Sequence, residues 1–167
     1  MNIKSSAYDL YRQTFGEDKD FDTLLFDNFF ENCRYIVENE QVVSMLFELP
    51  VTLIKEGERL PLCYVYAAAT HPDYRGRGLA SRLVEEACAR HPRVILRPAE
   101  EELQAFYGRL GFKGCTAHST GDGQPCISGN EVISRMAAPI EKESFCLMFK
   151  GEGFDLPEGT VFPHSMP

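Results

Sequence analysis

Two arginines and two glycines alternate at Arg75-Gly76-Arg77-Gly78, where a loop gives way to an amphipathic run. Glycine lets the backbone approach a ligand closely and adopt angles that other residues avoid. A helix starting there exposes its first N–H groups and a partial positive charge, a combination that holds phosphate. A pyrophosphate suits that chemistry. Neither common nucleotide fingerprint fits as well, because there is no G-x-x-x-x-G-K-[ST] and the G-x-G lacks a third glycine. Glu48, midway along a strand-like run, is the candidate general base, with a solvent-facing strand residue as the plainer reading. His71 reads as a loop histidine. Tyr64 and Tyr66 either line a pocket or pack within a sheet.

These residues need elements to position them. Ser5 and Ser6 are expected to cap a first helix that carries Ala7, Leu10, Tyr11 and Phe15 and stops at Gly16. A second helix is expected from Asp22, with Leu24, Leu25, Phe29 and Phe30 on its buried face. Arg34–Glu38, Gln41–Ile54 and Leu60–Thr70 then read as three antiparallel strands, turned at Asn39-Glu40 and Glu56-Gly57-Glu58. Pro50 is placed to bulge or break the second of them. After the Arg-Gly loop come a helix on Leu79, Leu83, Val84 and Ala87, a short strand Val94–Leu96, and a helix from Glu100 to Leu110 capped by Gly111. Beyond Phe112 the pattern is irregular, with a loop or hairpin expected between Gly121 and Gly129 and a strand at Phe145–Phe149.

Composition bounds the class. The chain has 167 residues, 44% of them apolar, and a net charge of −8. One domain is the usual expectation for roughly 100–200 residues, and a core can form without disulfides or metal. The apolar fraction excludes a disordered chain. The acidic balance argues against nucleic acid as a partner. No uncharged apolar run approaches the ~20 residues needed to span a bilayer, and no signal peptide is evident, so a cytoplasmic protein without membrane contact is expected. Cys33, Cys63, Cys88, Cys115, Cys126 and Cys146 form no C-x-x-C pair and have no histidine at ligand spacing. Reduced thiols are expected, and no metal.

The loop resembles a known family. Arg75-Gly76-Arg77-Gly78-Leu79-Ala80 matches [QR]-x-x-G-x-[GA], the acetyl-CoA pyrophosphate loop of the GNAT N-acetyltransferases, and Thr70-His71-Pro72 precedes it at the expected spacing. Downstream, Phe106-Tyr107-Gly108-Arg109-Leu110-Gly111-Phe112 resembles the family's F-Y-x-x-x-G-F element. Together they cover about Tyr64 to Phe112, and the nearest likeness is to predicted bacterial acetyltransferases. The resemblance implies an α/β (α+β) GNAT acyl-CoA acyltransferase fold. Its sheet is mixed and mostly antiparallel, flanked by helices, with Leu60–Thr70 splayed from Val94–Leu96. It further implies one domain over residues 1–167, with a cofactor-binding core at about 60–114.

By the same resemblance, Ala68, Ala69 and Thr70 contact the pantetheine arm and offer a backbone N–H to the thioester carbonyl. Gly76 to Ser81, thus Gly76, Arg77, Gly78, Leu79, Ala80 and Ser81, cradle the pyrophosphate beside Arg75. Tyr107 protonates the departing thiolate. The chemistry implied is transfer of acetyl from acetyl-CoA, the cosubstrate, to an amine of a small molecule or peptide in a ternary complex. An acidic surface suits a cationic acceptor. Two departures stand out. Glu100 occupies the position where the family usually has Asn, and a first strand is not evident. A GNAT-like module that binds coenzyme A or a partner without chemistry is therefore the alternative. Phe145–Phe149 and the apolar tail are candidate contacts for a homodimer.

Overall fold

Two-residue turns organise the first half of the chain. Asn39 and Glu40, at φ 50° and 60°, join β1 (Cys33–Glu38) to β2 (Gln41–Lys55). Glu56 and Gly57, at φ 51° and 85°, join β2 to β3 (Glu58–Thr70). Left-handed backbone at both turn residues matches the twist of antiparallel strands, which is why such short turns close hairpins. The expected meander is present. Pro50 does not interrupt it, since it lies exposed within β2. The computed structural model describes residues 1–16, 18–118, 125–129 and 144–162.

Register along the β2–β3 hairpin reveals an extra residue. His71 N–H donates to the Val43 carbonyl at 2.9 Å. Counted from the turn, Val43 is twelve residues from Lys55, while His71 is thirteen from Glu58. β3 therefore contains a bulge, and Ala67, at φ 52°, is the position where its backbone turns left-handed.

Contacts divide the chain into two units, one of residues 1–49 and 65–87, the other of residues 50–64 and 88–167. The first unit holds α1 (Ile3–Phe15), α2 (Lys19–Phe29), β1, the adjoining parts of β2 and β3, and most of α3 (Leu79–Arg90). Asn2, not Ser5 or Ser6, caps α1, its side chain accepting from Ser5 N–H at 3.1 Å. Ser6 is occupied elsewhere, its hydroxyl oxygen accepting from Val42 N–H at 2.8 Å. α2 begins three residues before Asp22, because the Asp18 carboxylate accepts from the N–H groups of Asp20 and Phe21. Phe26 centres the core, with edge-on ring contacts to Tyr8, Tyr11 and Phe47 at 5.1, 5.4 and 5.3 Å.

The second unit holds β4 (Arg93–Leu96), α4 (Glu102–Arg109), β5 (Lys113–His118), β6 (Cys126–Ser128), β7 (Ser144–Gly151) and β8 (Thr160–Val161). Its strands lie in the order β4-β7-β5-β8-β6. β7 is antiparallel to both neighbours, β8 is parallel to both of its own, and β6 also pairs with Thr52–Ile54 of β2. Sequence pattern missed β5. Its inward residues, Cys115 and Ala117, are small, and Gly114 interrupts the run because a Cβ there would meet the Cys146 sulfur at 3.3 Å. The loop expected at Gly121–Gly129 lies partly outside the described residues, and Cys126–Ser128 within it form β6. Phe145–Phe149 is the body of β7, bonded along both edges with Leu147, Met148 and Phe149 buried. That segment is thus taken up within the chain's own sheet rather than offered to a second copy. None of the six cysteines is joined to another, and burial pushes the Cys33 and Cys115 thiols up to about 12. Among the described residues no helix is long and apolar enough to cross a membrane.

Candidate active site

The Arg-Gly loop is built on the far end of the β2–β3 hairpin. After Thr70, a 3-10 turn at Pro72–Tyr74 is set by the His71 Nδ1 accepting from Asp73 N–H at 3.3 Å. Tyr74 anchors the loop to the β1–β2 turn, its hydroxyl oxygen accepting from Asn39 Nδ2 at 2.9 Å and Gln41 Nε2 at 3.3 Å. Gly76 and Gly78 then both take φ 74°, strained for any side chain, and lead into α3. The first helical bond is Arg82 N–H to the Gly78 carbonyl at 3.0 Å. Six successive N–H groups, Gly76 to Ser81, find no acceptor among the described residues. A Cβ placed on either glycine would meet nothing within 4 Å. Open space faces a row of donors at a positive helix end. A phosphate group fits there.

The arginines have other work. Arg75 Nε donates to the Thr70 carbonyl at 3.2 Å, which ties the loop to the strand that feeds it. Arg77 pairs with Glu38 of β1 at 3.0 Å and lies 5.2 Å over the Tyr74 ring. Both side chains brace the loop, so phosphate contact falls chiefly on backbone donors.

Ala68, Ala69 and Thr70 follow the bulge directly, with Ala69 buried and the other two half-buried. A bulge takes backbone groups out of the ladder and re-aims them, and small side chains leave room for close approach. Thr70 is held by Ser44, hydroxyl to hydroxyl at 2.9 Å, and the same Ser44 hydroxyl donates to the Ala69 carbonyl at 3.1 Å. Sequence gave no sign of this bulge, since three consecutive alanines look regular and only the pairing count exposes it.

Glu48 is placed otherwise than a solvent-facing residue. It is 4% exposed, with its Oε2 3.4 Å from Arg34 Nε. Burying a carboxylate is costly unless a cation and hydrogen bonds compensate. Arg34→Ala should therefore lower stability by about 1–3 kcal/mol, read from denaturant unfolding, while Glu48→Gln with Arg34→Ala should recover part of that loss.

Tyr66, just before the bulge, is half-buried, and its hydroxyl lies 3.1 Å from that of Tyr11. Tyr64 belongs to the second unit, buried with its ring 5.2 Å from Phe162.

Tyr107 also belongs to the second unit, on α4. It is 8% exposed, its ring 4.9 Å from Phe106 and 6.0 Å from Phe112. A purely structural buried tyrosine normally finds a partner for its hydroxyl. Here the hydroxyl bonds to no described residue, and no fully buried side-chain polar atom among them lacks a partner. The oxygen therefore reaches solvent while the ring is enclosed. Burial raises its pKa above the ordinary 10.0. Tyr11 and Tyr66 are raised as well, chiefly by burial. Because the folded phenols ionise later than the unfolded ones, their contribution to stability is complete below about pH 10 and is lost as pH rises beyond it. The melting temperature should fall more steeply above pH 10 in the native chain than in Tyr107→Phe. Equal slopes would contradict this.

Comparison with known proteins follows the same lines. A family profile described as "Acetyltransferase (GNAT) domain" matches residues 4–115. No curated protein sequence matches the chain. Among solved structures, a GCN5-related N-acetyltransferase from Kribbella flavida is similar at 21% identity and a TM-score of 0.56, over 67% of this chain and 32% of that one. This chain thus spans about a third of that relative's length. A GNAT family acetyltransferase from Brucella melitensis, in complex with acetyl-CoA, is similar at 14% identity and a TM-score of 0.54, over 94% and 84% of the two chains. The N-acetyltransferase YlbP of Bacillus subtilis, in complex with coenzyme A, gives 15%, 0.53, 93% and 95%. These likenesses establish the fold. With the profile spanning the meander, the loop and α4 alike, the chain belongs to the GNAT acetyltransferase family.

Proposed function

We propose that this chain is an acetyl-CoA-dependent N-acetyltransferase, acting as one domain, that acetylates an amine of a small molecule or peptide by direct transfer. The observation that carries this reading is the unbroken row of unpartnered N–H groups from Gly76 to Ser81, opened by two left-handed glycines. Two of the similar structures hold acetyl-CoA or coenzyme A, which supports the same ligand here. Bound acetyl-CoA supplies an activated acetyl thioester. The loop N–H groups bind the pyrophosphate, where helix-end charge and open space favour an anion. Bulged backbone at Ala67 and the small side chains of Ala68 and Ala69 accept the pantetheine arm. Tyr107 holds a proton on its hydroxyl oxygen at neutral pH, as a general acid must. With a net charge of −8, the protein favours encounter with a cationic acceptor.

A second reading, a module that binds coenzyme A without chemistry, draws on one observation. Glu48, the candidate base, is buried against Arg34. Thiol release from acetyl-CoA in the presence of an amine panel separates the two. Amine-dependent release above background is expected, whereas bound acetyl-CoA with no release beyond hydrolysis would favour the module.

A further inference from the structure

A row of polar groups inside the first unit has no part in the reading above. Arg12 of α1 pairs with Asp22 of α2, Nη1 to Oδ2 at 2.5 Å. The Tyr11 hydroxyl hydrogen-bonds Asp22, and the Tyr66 hydroxyl is 3.1 Å from that of Tyr11. Asp22 and Tyr11 are each 2% exposed, while Arg12 reaches solvent. Burying such groups is costly, and phenylalanine in place of both tyrosines would fill the same space without that cost.

The row has a direction. An ion-paired carboxylate only accepts, so the Tyr11 proton is drawn to Asp22, the charge-assisted and stronger of its two bonds. The Tyr11 oxygen then accepts from Tyr66, and the Tyr66 proton is committed inward. Toward any further group Tyr66 offers oxygen lone pairs. It does so from the residue immediately before the bulge at Ala67, next to the segment proposed to receive the pantetheine arm.

We infer that Tyr66 is a specificity-determining residue whose hydroxyl oxygen accepts an N–H hydrogen bond from the acceptor amine, with Tyr11 and Asp22 fixing its direction. This rests on the proposed amine acetylation. It selects acceptors that carry an N–H donor over quaternary cations of equal charge.

The test uses the full chain carrying 13Cζ-tyrosine, with coenzyme A present. The Tyr66 signal, one of seven tyrosines, is assigned by Tyr66→Phe. Butylamine should shift that signal saturably, and butyltrimethylammonium, which has the charge but no N–H, should not. Tyr11→Phe should weaken butylamine binding about tenfold and change coenzyme A affinity less than twofold, and Asp22→Asn should behave alike if it folds. Equal shifts with both cations, no shift with either, or unchanged butylamine affinity in Tyr11→Phe would overturn the inference. Thiol release from acetyl-CoA in parallel samples keeps the two claims apart. Turnover without a Tyr66 shift refutes the role of Tyr66 alone, and a shift without turnover refutes the acetylation alone.

Discussion

Tyr107→Phe is expected to lower turnover by about 10²- to 10⁴-fold while leaving affinity for acetyl-CoA within a factor of two. The argument is local to α4. The Tyr107 ring is enclosed by Phe106 and Phe112, and its backbone carbonyl accepts from the N–H groups of Leu110 and Phe112 at 3.0 and 3.1 Å. Phenylalanine preserves all of those contacts. Its hydroxyl has no partner among the described residues, so no donor or acceptor is orphaned by removing it. The expected loss of stability is therefore below about 1 kcal/mol. A large kinetic effect with a small structural one would identify the oxygen as the working atom. An unchanged rate would remove Tyr107 from the mechanism.

Gly78→Ala should weaken acetyl-CoA binding by about 10- to 100-fold and cost stability only about 1 kcal/mol. The stability term follows from φ 74°, which glycine tolerates and alanine resists. The binding term is larger because the added methyl meets no protein atom within 4 Å. It enters the open space before the N–H row, where the pyrophosphate is proposed to sit. Gly57 offers the control, since it also has positive φ and open surroundings but lies in the β2–β3 turn. Gly57→Ala should match the loss of stability and spare the affinity. Calorimetric titration of both variants decides the matter, and equal affinities would refute the placement.

Local signals made much of this legible from the residues. Turns at Asn39-Glu40 and Glu56-Gly57, the helical stripe of α3 and the glycine stop after α4 all depend on neighbours in sequence, and all lie where expected. Boundaries shifted where a longer-range partner intervened. Ser6 is drawn off its cap by Val42, and Asp18 starts α2 ahead of Asp22. β5 was hidden because its inward residues are small, and the bulge at Ala67 because it arises from unequal strand lengths rather than residue type. Glu48 shows the limit of alternation as a guide. A carboxylate in a strand reads as exposed until Arg34 is seen beside it. For the loop, spacing alone located the glycines, but only the fold shows that both arginines are engaged and that the backbone is left to meet the anion.

That last point is the centre of the account and has a direct measurement. Amide 1H–15N spectra of the full chain, recorded as coenzyme A is added, report each N–H in the loop separately. The largest shifts are predicted at Gly76 through Ser81, with Gly57 and the other turn amides still. Coenzyme A that binds while those six amides stay unmoved would contradict it.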